Sequence, residues 1–259
     1  MRPDGWWADL QHIEYSIALE IARKGLGDHA LTSGVAIYRR EALERALALH
    51  SLSVYAEDLS NSLILLALQE KVYYDGRVVV ATEGQRSLRG IVSQRVGWAF
   101  GLIQIYLRDF PTILQATAAR PFLAYHLLVY TGFMGLVLQP LRLVALGLLG
   151  LSLANGIDAA LGASWIPDTR WTNPLHFWLV YLQCTILVAS QALLVLPRDE
   201  LRRVARVIPV YFFYALLQTV PTTLGYLNWI TLHVWGRRAY RDHYEADEAL
   251  IRRQMASSA

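Results

Sequence analysis

Along residues 8–24 the apolar positions recur at the spacing of an amphipathic helix, and Gly25 and Gly27 mark its end. Leu31–Tyr38 alternates weakly and is rich in β-formers, after which Arg39-Arg40-Glu41-Ala42-Leu43 opens a helix. Asp58 is placed to cap a further helix running from about Leu59 to Gln69. Arg77–Thr82, with Val78, Val79 and Val80 in a row, reads as a short strand. A longer helix is expected over Ser87–Leu107. Two strands among these helices are too few for a complete nucleotide-binding sheet. Gly25-Leu26-Gly27 begins like a dinucleotide fingerprint, but the preceding strand and the third glycine are missing, so it is set aside.

Past residue 120 the pattern changes. No Asp, Glu, Lys or Arg occurs in 121–141, 143–157, 171–197 or 207–235. A spanning helix needs about 20 mostly apolar residues, because only internally hydrogen-bonded backbone is tolerated in hydrocarbon. Pro140 and Arg142 interrupt the first stretch, Asn155 and Asp158 lie near the end of the second, the third is unbroken, and the fourth mixes aromatics with Pro209, Pro221 and many Thr, Gln and Asn. Four crossings would put Arg198, Arg202, Arg203 and Arg206 outside if residues 1–120 are cytoplasmic, against the positive-inside bias. Two crossings, at 141–163 and 175–196, keep those arginines and Arg237, Arg238 and Arg241 on the cytoplasmic side. Trp165, Asp168, Arg170 and Trp171 then form a short outer loop, and 121–139 and 207–235 lie at the inner interface or re-enter part-way. Met1–Gly5 leads into no apolar core, so no signal peptide is expected.

Composition and charge agree. The chain of 259 residues is 54% apolar and 17% charged, which excludes disorder and fibrous repeats. A single cysteine excludes a disulfide scaffold and a four-thiolate metal site. Net charge is only +3, yet residues 1–120 carry 13 basic and 13 acidic side chains whereas 121–196 carry only Arg142, Asp158, Asp168 and Arg170. A purely cytosolic globule is thereby excluded.

The order of short motifs then becomes informative. Ser33-Gly34-Val35-Ala36-Ile37-Tyr38-Arg39-Arg40-Glu41-Ala42-Leu43 is followed by Glu57-Asp58, by Gly76-Arg77-Val78-Val79-Val80-Ala81-Thr82-Glu83, and by Gln94-Arg95-Val96-Gly97-Trp98-Ala99-Phe100-Gly101. This succession resembles the carboxyl-terminal part of the processive family 2 glycosyltransferases, the membrane-embedded cellulose, chitin and hyaluronan synthases, and is most similar to the bacterial cellulose-synthase branch. The first block is similar to the acceptor-side segment, Glu57-Asp58 to the T/E-D motif, and Gln94–Trp98 to Q-x-x-R-W. The resemblance spans roughly residues 8–240. It implies an α/β fold in which a partial glycosyltransferase-A-like domain, mostly helical here (1–110), precedes interfacial and transmembrane helices (111–240) and a cytoplasmic tail (241–259). It further implies a multi-pass protein of the plasma or inner membrane, with its soluble half and tail cytoplasmic.

Two departures matter. The family holds its nucleotide sugar through a uridine-binding aspartate and a D-x-D that binds a divalent metal, Mg or Mn. This chain has no D-x-D and too few residues before Ser33 for those strands, so donor and metal are expected only together with a donor-binding half. In addition, Gly97 stands where the signature has arginine.

Inverting transfer needs a carboxylate to take the proton of the attacking hydroxyl and donors that stabilise the departing diphosphate. By resemblance Asp58 is that base, with Glu57 beside it; the alternative is a helix cap. Trp98 is a stacking floor for the acceptor sugar, an interfacial anchor, or both. Gln94 would bond donor or acceptor. Arg95 either stands in for the missing arginine or meets lipid headgroups. Ser33 and Gly34 allow close approach of the glycan, or form a plain turn.

His126, His176 and His233 lack zinc spacing and read as satisfied interfacial groups. Asp242, His243, Glu245 and Asp247 read as a solvated helix, and Cys184 as a small apolar residue in a span. The Arg198–Arg206 cluster reads as a contact to anionic headgroups and not to nucleic acid. Expected partners are therefore a nucleotide-sugar donor through the absent half, a glycan acceptor and the bilayer. Three readings stay open: part of an enzyme, a split subunit or pseudoenzyme working beside a donor-domain chain, and a membrane scaffold or transporter.

Overall fold

A computed structural model describes residues 5–32, 35–50, 55–78, 80, 82–163, 165–167, 169 and 171–240. Its helices are α1 (Trp6–Ile17, continued by a π-helical stretch Ala18–Arg23), α2 (Arg40–Leu49), α3 (Glu57–Ala67), α4 (Leu88–Arg108), α5 (Phe110–Thr117) and α6 (Pro121–Ala124, continued by π-helical Tyr125–Val137). There follow α7 (Gln139–Ala160), α8 (Pro174–Val195), α9 (Arg198–Val204), α10 (Ile208–Leu217) and α11 (Thr219–Trp235). Local chemistry sets several ends. The Ser87 hydroxyl accepts the N–H of Gly90 at 3.1 Å and caps α4. Asn173 caps α8 by accepting the N–H of Leu175 at 2.9 Å. Gly236, at φ 65°, closes α11 in the left-handed conformation that glycine adopts without a Cβ penalty.

The expected strands do not form among the described residues. Only an isolated parallel bridge joins His29 to Val72. A strand needs a ladder partner, and the segment from Asp75 is drawn into a turn instead. There the Asp75 carboxylate accepts the N–H of Arg77 at 3.0 Å and its guanidinium at 2.9 Å. That pairing holds the Asp75 carboxyl down at about 2. The molecule is mostly helical rather than α/β over the described residues.

Helix α4 is central. The chain enters α3 against Gly101, where a Cβ would lie 2.8 Å from the backbone nitrogen of Ala56. On another side α11 seats Gly225 against Ala99 and Phe100, with a Cβ there 2.8 Å from that of Ala99. One core joins Leu63 and Leu66 of α3 to Ile105, Ile113, Leu123 and Leu127. A second joins Leu10 and Ile13 of α1 to Val188, Ala192 and Leu196 at the end of α8 and to Val204, Val207 and Tyr214. Ionic pairs reinforce this docking of α1. Asp9, only 2% exposed, meets Arg206 at 2.9 Å and Arg203 at 3.5 Å, and His12 meets Glu200 at 2.7 Å. Two of the four clustered arginines, Arg203 and Arg206, thus face a buried carboxylate, although Arg206, like Arg198 and Arg202, is exposed.

Three helical segments are long and apolar enough to cross a membrane: Leu141–Ala160, Pro174–Val195 and Arg198–Trp235. The first two coincide with the spans expected at 141–163 and 175–196. Their connection is tied by a polar row on α7. Ser152, Asn155 and Asp158, spaced three apart on one face, reach the carbonyls of Trp171 and Thr172 and the N–H of Ile166. The third segment is one that charge bias alone assigns to the interface.

Candidate functional site

The first turn of α3 carries Glu57 and Asp58, the former exposed and the latter half-buried. Asp58 is not the cap of this helix, since Ala56 occupies that position. One Asp58 oxygen accepts the N–H of Leu59 at 2.8 Å. Its backbone carbonyl accepts the hydroxyls of Thr32 at 2.9 Å and Ser62 at 2.8 Å. Ser62 also accepts the N–H of Thr32 at 2.8 Å. The chain just before Ser33 is therefore anchored to α3 at Thr32. Ser33 and Gly34 themselves lie outside the described residues, as do Asp168, Arg170, Asp242, His243, Glu245 and Asp247.

Trp98 lies three residues before Gly101, which touches Tyr55 and Ala56 at the entry to α3. Trp98 is 37% exposed. Beneath it Arg95 is 7% exposed, its guanidinium 4.0 Å from the centre of the Trp98 ring and 5.5 Å from that of Tyr15. The guanidinium donates to Glu14 at 2.6 Å and to the Tyr214 hydroxyl at 3.5 Å, and Tyr214 donates a short bond to the same carboxylate. Burial pushes the Tyr15 phenol up, against the opposing pull of Arg95. Arg95 thus points inward and not to a headgroup layer. Gln94 is half-buried, and its Oε1 has no hydrogen-bond partner among the described residues.

Arg23, half-buried at the end of the π-helical stretch, lies within electrostatic range of Asp58, Tyr74 and Tyr15. Tyr74 donates to Glu20 at 2.7 Å, and burial together with that carboxylate pushes its phenol up to about 12. On the other flank Arg238 bonds the Tyr55 hydroxyl, with its guanidinium 4.5 Å from the Tyr55 ring and 5.0 Å from Phe100. Asn228, fully buried, and Thr231 hold that segment through the backbone of Tyr240 at 2.7 and 2.8 Å and the N–H of Ala239 at 3.0 Å.

Motif reading finds Asp58, Gln94, Arg95 and Trp98 but misses Glu14, Tyr15, Arg23, Tyr214 and Arg238. Glu14 and Tyr214 are 200 positions apart in sequence, and no local pattern links them. Among the described residues no group of three or more His, Cys, Asp or Glu could hold a metal ion. His233 bonds the carbonyl of Trp229 at 2.7 Å and stacks on its ring, and His126 stacks on Tyr130. Cys184 is half-buried within α8. The divalent metal that the motif resemblance implies belongs with the D-x-D of a donor-binding half, and no chemical step is assigned through one. Comparison with protein-family profiles, curated proteins and solved structures gives no match to this chain.

Proposed function

We propose that this chain is the acceptor-side and membrane part of an inverting, processive glycosyltransferase of family 2, built on a partial glycosyltransferase-A-like domain. The observation that carries the reading is the order of Glu57-Asp58 and Gln94–Trp98 along the chain, with the segment entering α3 resting on Gly101, three residues beyond Trp98 on α4. In such a reaction the acceptor hydroxyl attacks the anomeric carbon of a nucleotide sugar. A new C–O bond forms there as the bond to the diphosphate breaks, and Asp58 takes the hydroxyl proton. Trp98 supports the acceptor sugar ring, and Gln94 lies about one helical turn before it on α4. The apolar helices support a multi-pass placement in the cell membrane, with the polymer conducted away from the cytoplasmic face.

The second reading is a subunit or pseudoenzyme acting beside a donor-domain chain. Its support is the absence of D-x-D from the sequence. Both readings require the donor site to be supplied by other polypeptide. Co-expression with a donor-binding glycosyltransferase domain, followed by radiolabelled sugar incorporation in inverted vesicles, tests them. We expect Asp58→Asn to lower incorporation by about 10²–10⁴. Its folding stability should change by under about 1 kcal/mol, since asparagine keeps the bond to Leu59 and loses only a favourable charge at the helix start. Near-normal incorporation by Asp58→Asn removes this residue from the chemistry and, with it, the enzyme reading.

A further inference from the structure

Arg95 is an odd residue to find at an acceptor site. It is a cation with almost no solvent contact, and its charge is already met by Glu14 at 2.6 Å. It therefore offers no free cation to an anionic ligand. Its guanidinium carbon instead lies 4.0 Å from the centre of the Trp98 indole, over the ring and three residues along the same helix. We infer that Arg95 is a positioning residue for Trp98: a guanidinium locked by Glu14 and Tyr214 fixes the plane of an exposed indole on which an uncharged pyranose chain stacks. The inference rests on the acceptor reading of Trp98 given above and adds what holds the ring and what class of glycan it takes.

The lock comes from three elements. Glu14 belongs to α1, Arg95 and Trp98 to α4, and Tyr214 to α10, whose hydroxyl bonds the same carboxylate. Tyr15, next to Glu14, stands 6.2 Å from Trp98 in a tilted arrangement and limits sideways motion of the indole. Cation–π attraction strengthens when the cation is desolvated, as Arg95 is. A planar guanidinium can stack on a ring and donate to a carboxylate at once, whereas a lysine ammonium cannot lie flat against the indole. Holding the ring in its binding orientation removes the ordering cost that a freely rotating tryptophan incurs on binding. Because Glu14 offsets Arg95, the platform carries no net charge and suits a neutral hexose polymer over uronic acid or phosphorylated glycan.

Fluorine NMR on the full chain in detergent, grown with fluorotryptophan and with the Trp98 resonance assigned through Trp98→Phe, reads ring position directly; cellohexaose is the probe. Wild type should show the Trp98 resonance moving on titration with cellohexaose. Arg95→Lys should shift and broaden that resonance before any sugar is added and weaken cellohexaose binding about tenfold, the loss of a pre-ordered ring. Tyr214→Phe, which removes a single hydroxyl, should move the resonance in the same direction and serves if Arg95→Lys does not fold. In a Trp98→Phe background Arg95→Lys should cost no further affinity, because residues acting through one another are non-additive. An unmoved Trp98 resonance in Arg95→Lys and in Tyr214→Phe, or an undiminished loss in the Trp98→Phe background, overturns the positioning role. A wild-type Trp98 resonance indifferent to cellohexaose, yet shifted by Arg95→Lys, sinks the acceptor reading while the positioning of the ring by Arg95 stands.

Discussion

Tyr74 lies on the Arg23 side of the candidate site, and its ionisation reports whether that side is folded as described. Its phenol is raised from 10.0 to about 12 by burial and by its bond to Glu20. The fold favours the neutral form, so the contribution of Tyr74 to stability is complete below pH 10.0 and is lost as pH rises through about 12. Glu20→Gln removes the carboxylate that repels the phenolate, so ionisation should move back toward the ordinary tyrosine range. Tyrosinate absorbance compared between wild type and Tyr74→Phe isolates this group, and an unchanged Tyr74 titration in Glu20→Gln would count against the pairing. Asp58 is legible at this same scale because a carboxylate in a short motif is visible in one line of sequence. Arg23, its electrostatic neighbour, is not legible, because it is 35 residues earlier and only folding brings the two together.

At the scale of elements two helices of the polar half follow closely from the apolar pattern, while α5 and α9 are not legible in it. The helix expected over Ser87–Leu107 is α4, Leu88–Arg108, and that expected from Leu59 begins two residues earlier, at Glu57. Among the described residues of 31–38 and 77–82 no strand forms, for a physical reason: β-rich residues specify a strand only where a partner completes the ladder. Two glycines show what sequence leaves unstated. Gly101 and Gly225 look alike as small residues in helices, yet each is where another segment rests on α4. Gly101→Ala would drive a methyl against the Ala56 nitrogen, a backbone atom that cannot rotate away. We expect a cost of about 1–3 kcal/mol in unfolding by urea in detergent, the range for overpacking. In the co-expressed system the same change should reduce sugar incorporation by more than its stability loss explains, because it moves the Glu57-Asp58 turn relative to Trp98. A midpoint equal to that of wild type would show that α3 does not rest on Gly101.

Over the whole molecule the open issue is the side on which α11 ends, and packing argues with hydropathy. The segment Arg198–Trp235 is long and apolar enough to cross. Its α11 portion, however, seats against α4, which carries Gln94, Arg95, Gln104 and Arg108. Drawing α4 into hydrocarbon with α11 would cost about 2.5–3.5 kcal/mol for each arginine at the membrane centre. We therefore expect α11 to remain at the cytoplasmic interface, so that Ala205→Cys and Ala239→Cys, each in a Cys184→Ala background, label from the same face. Labelling from opposite faces would establish a third crossing. The sequence by itself determined where α4 lies and that α7 and α8 are apolar spans, because periodicity and apolar length are properties of contiguous residues, whereas the α/β class expected from it gave way to a mostly helical fold. Tertiary structure alone decided that α1 packs on the end of α8 through Leu10 and Ile13 and pairs Asp9 with Arg203 and Arg206, that α11 lies on α4, and that Glu14 and Tyr214 close around Arg95. Those contacts join residues up to 200 positions apart, and no local pattern encodes which buried carboxylate will find which cation.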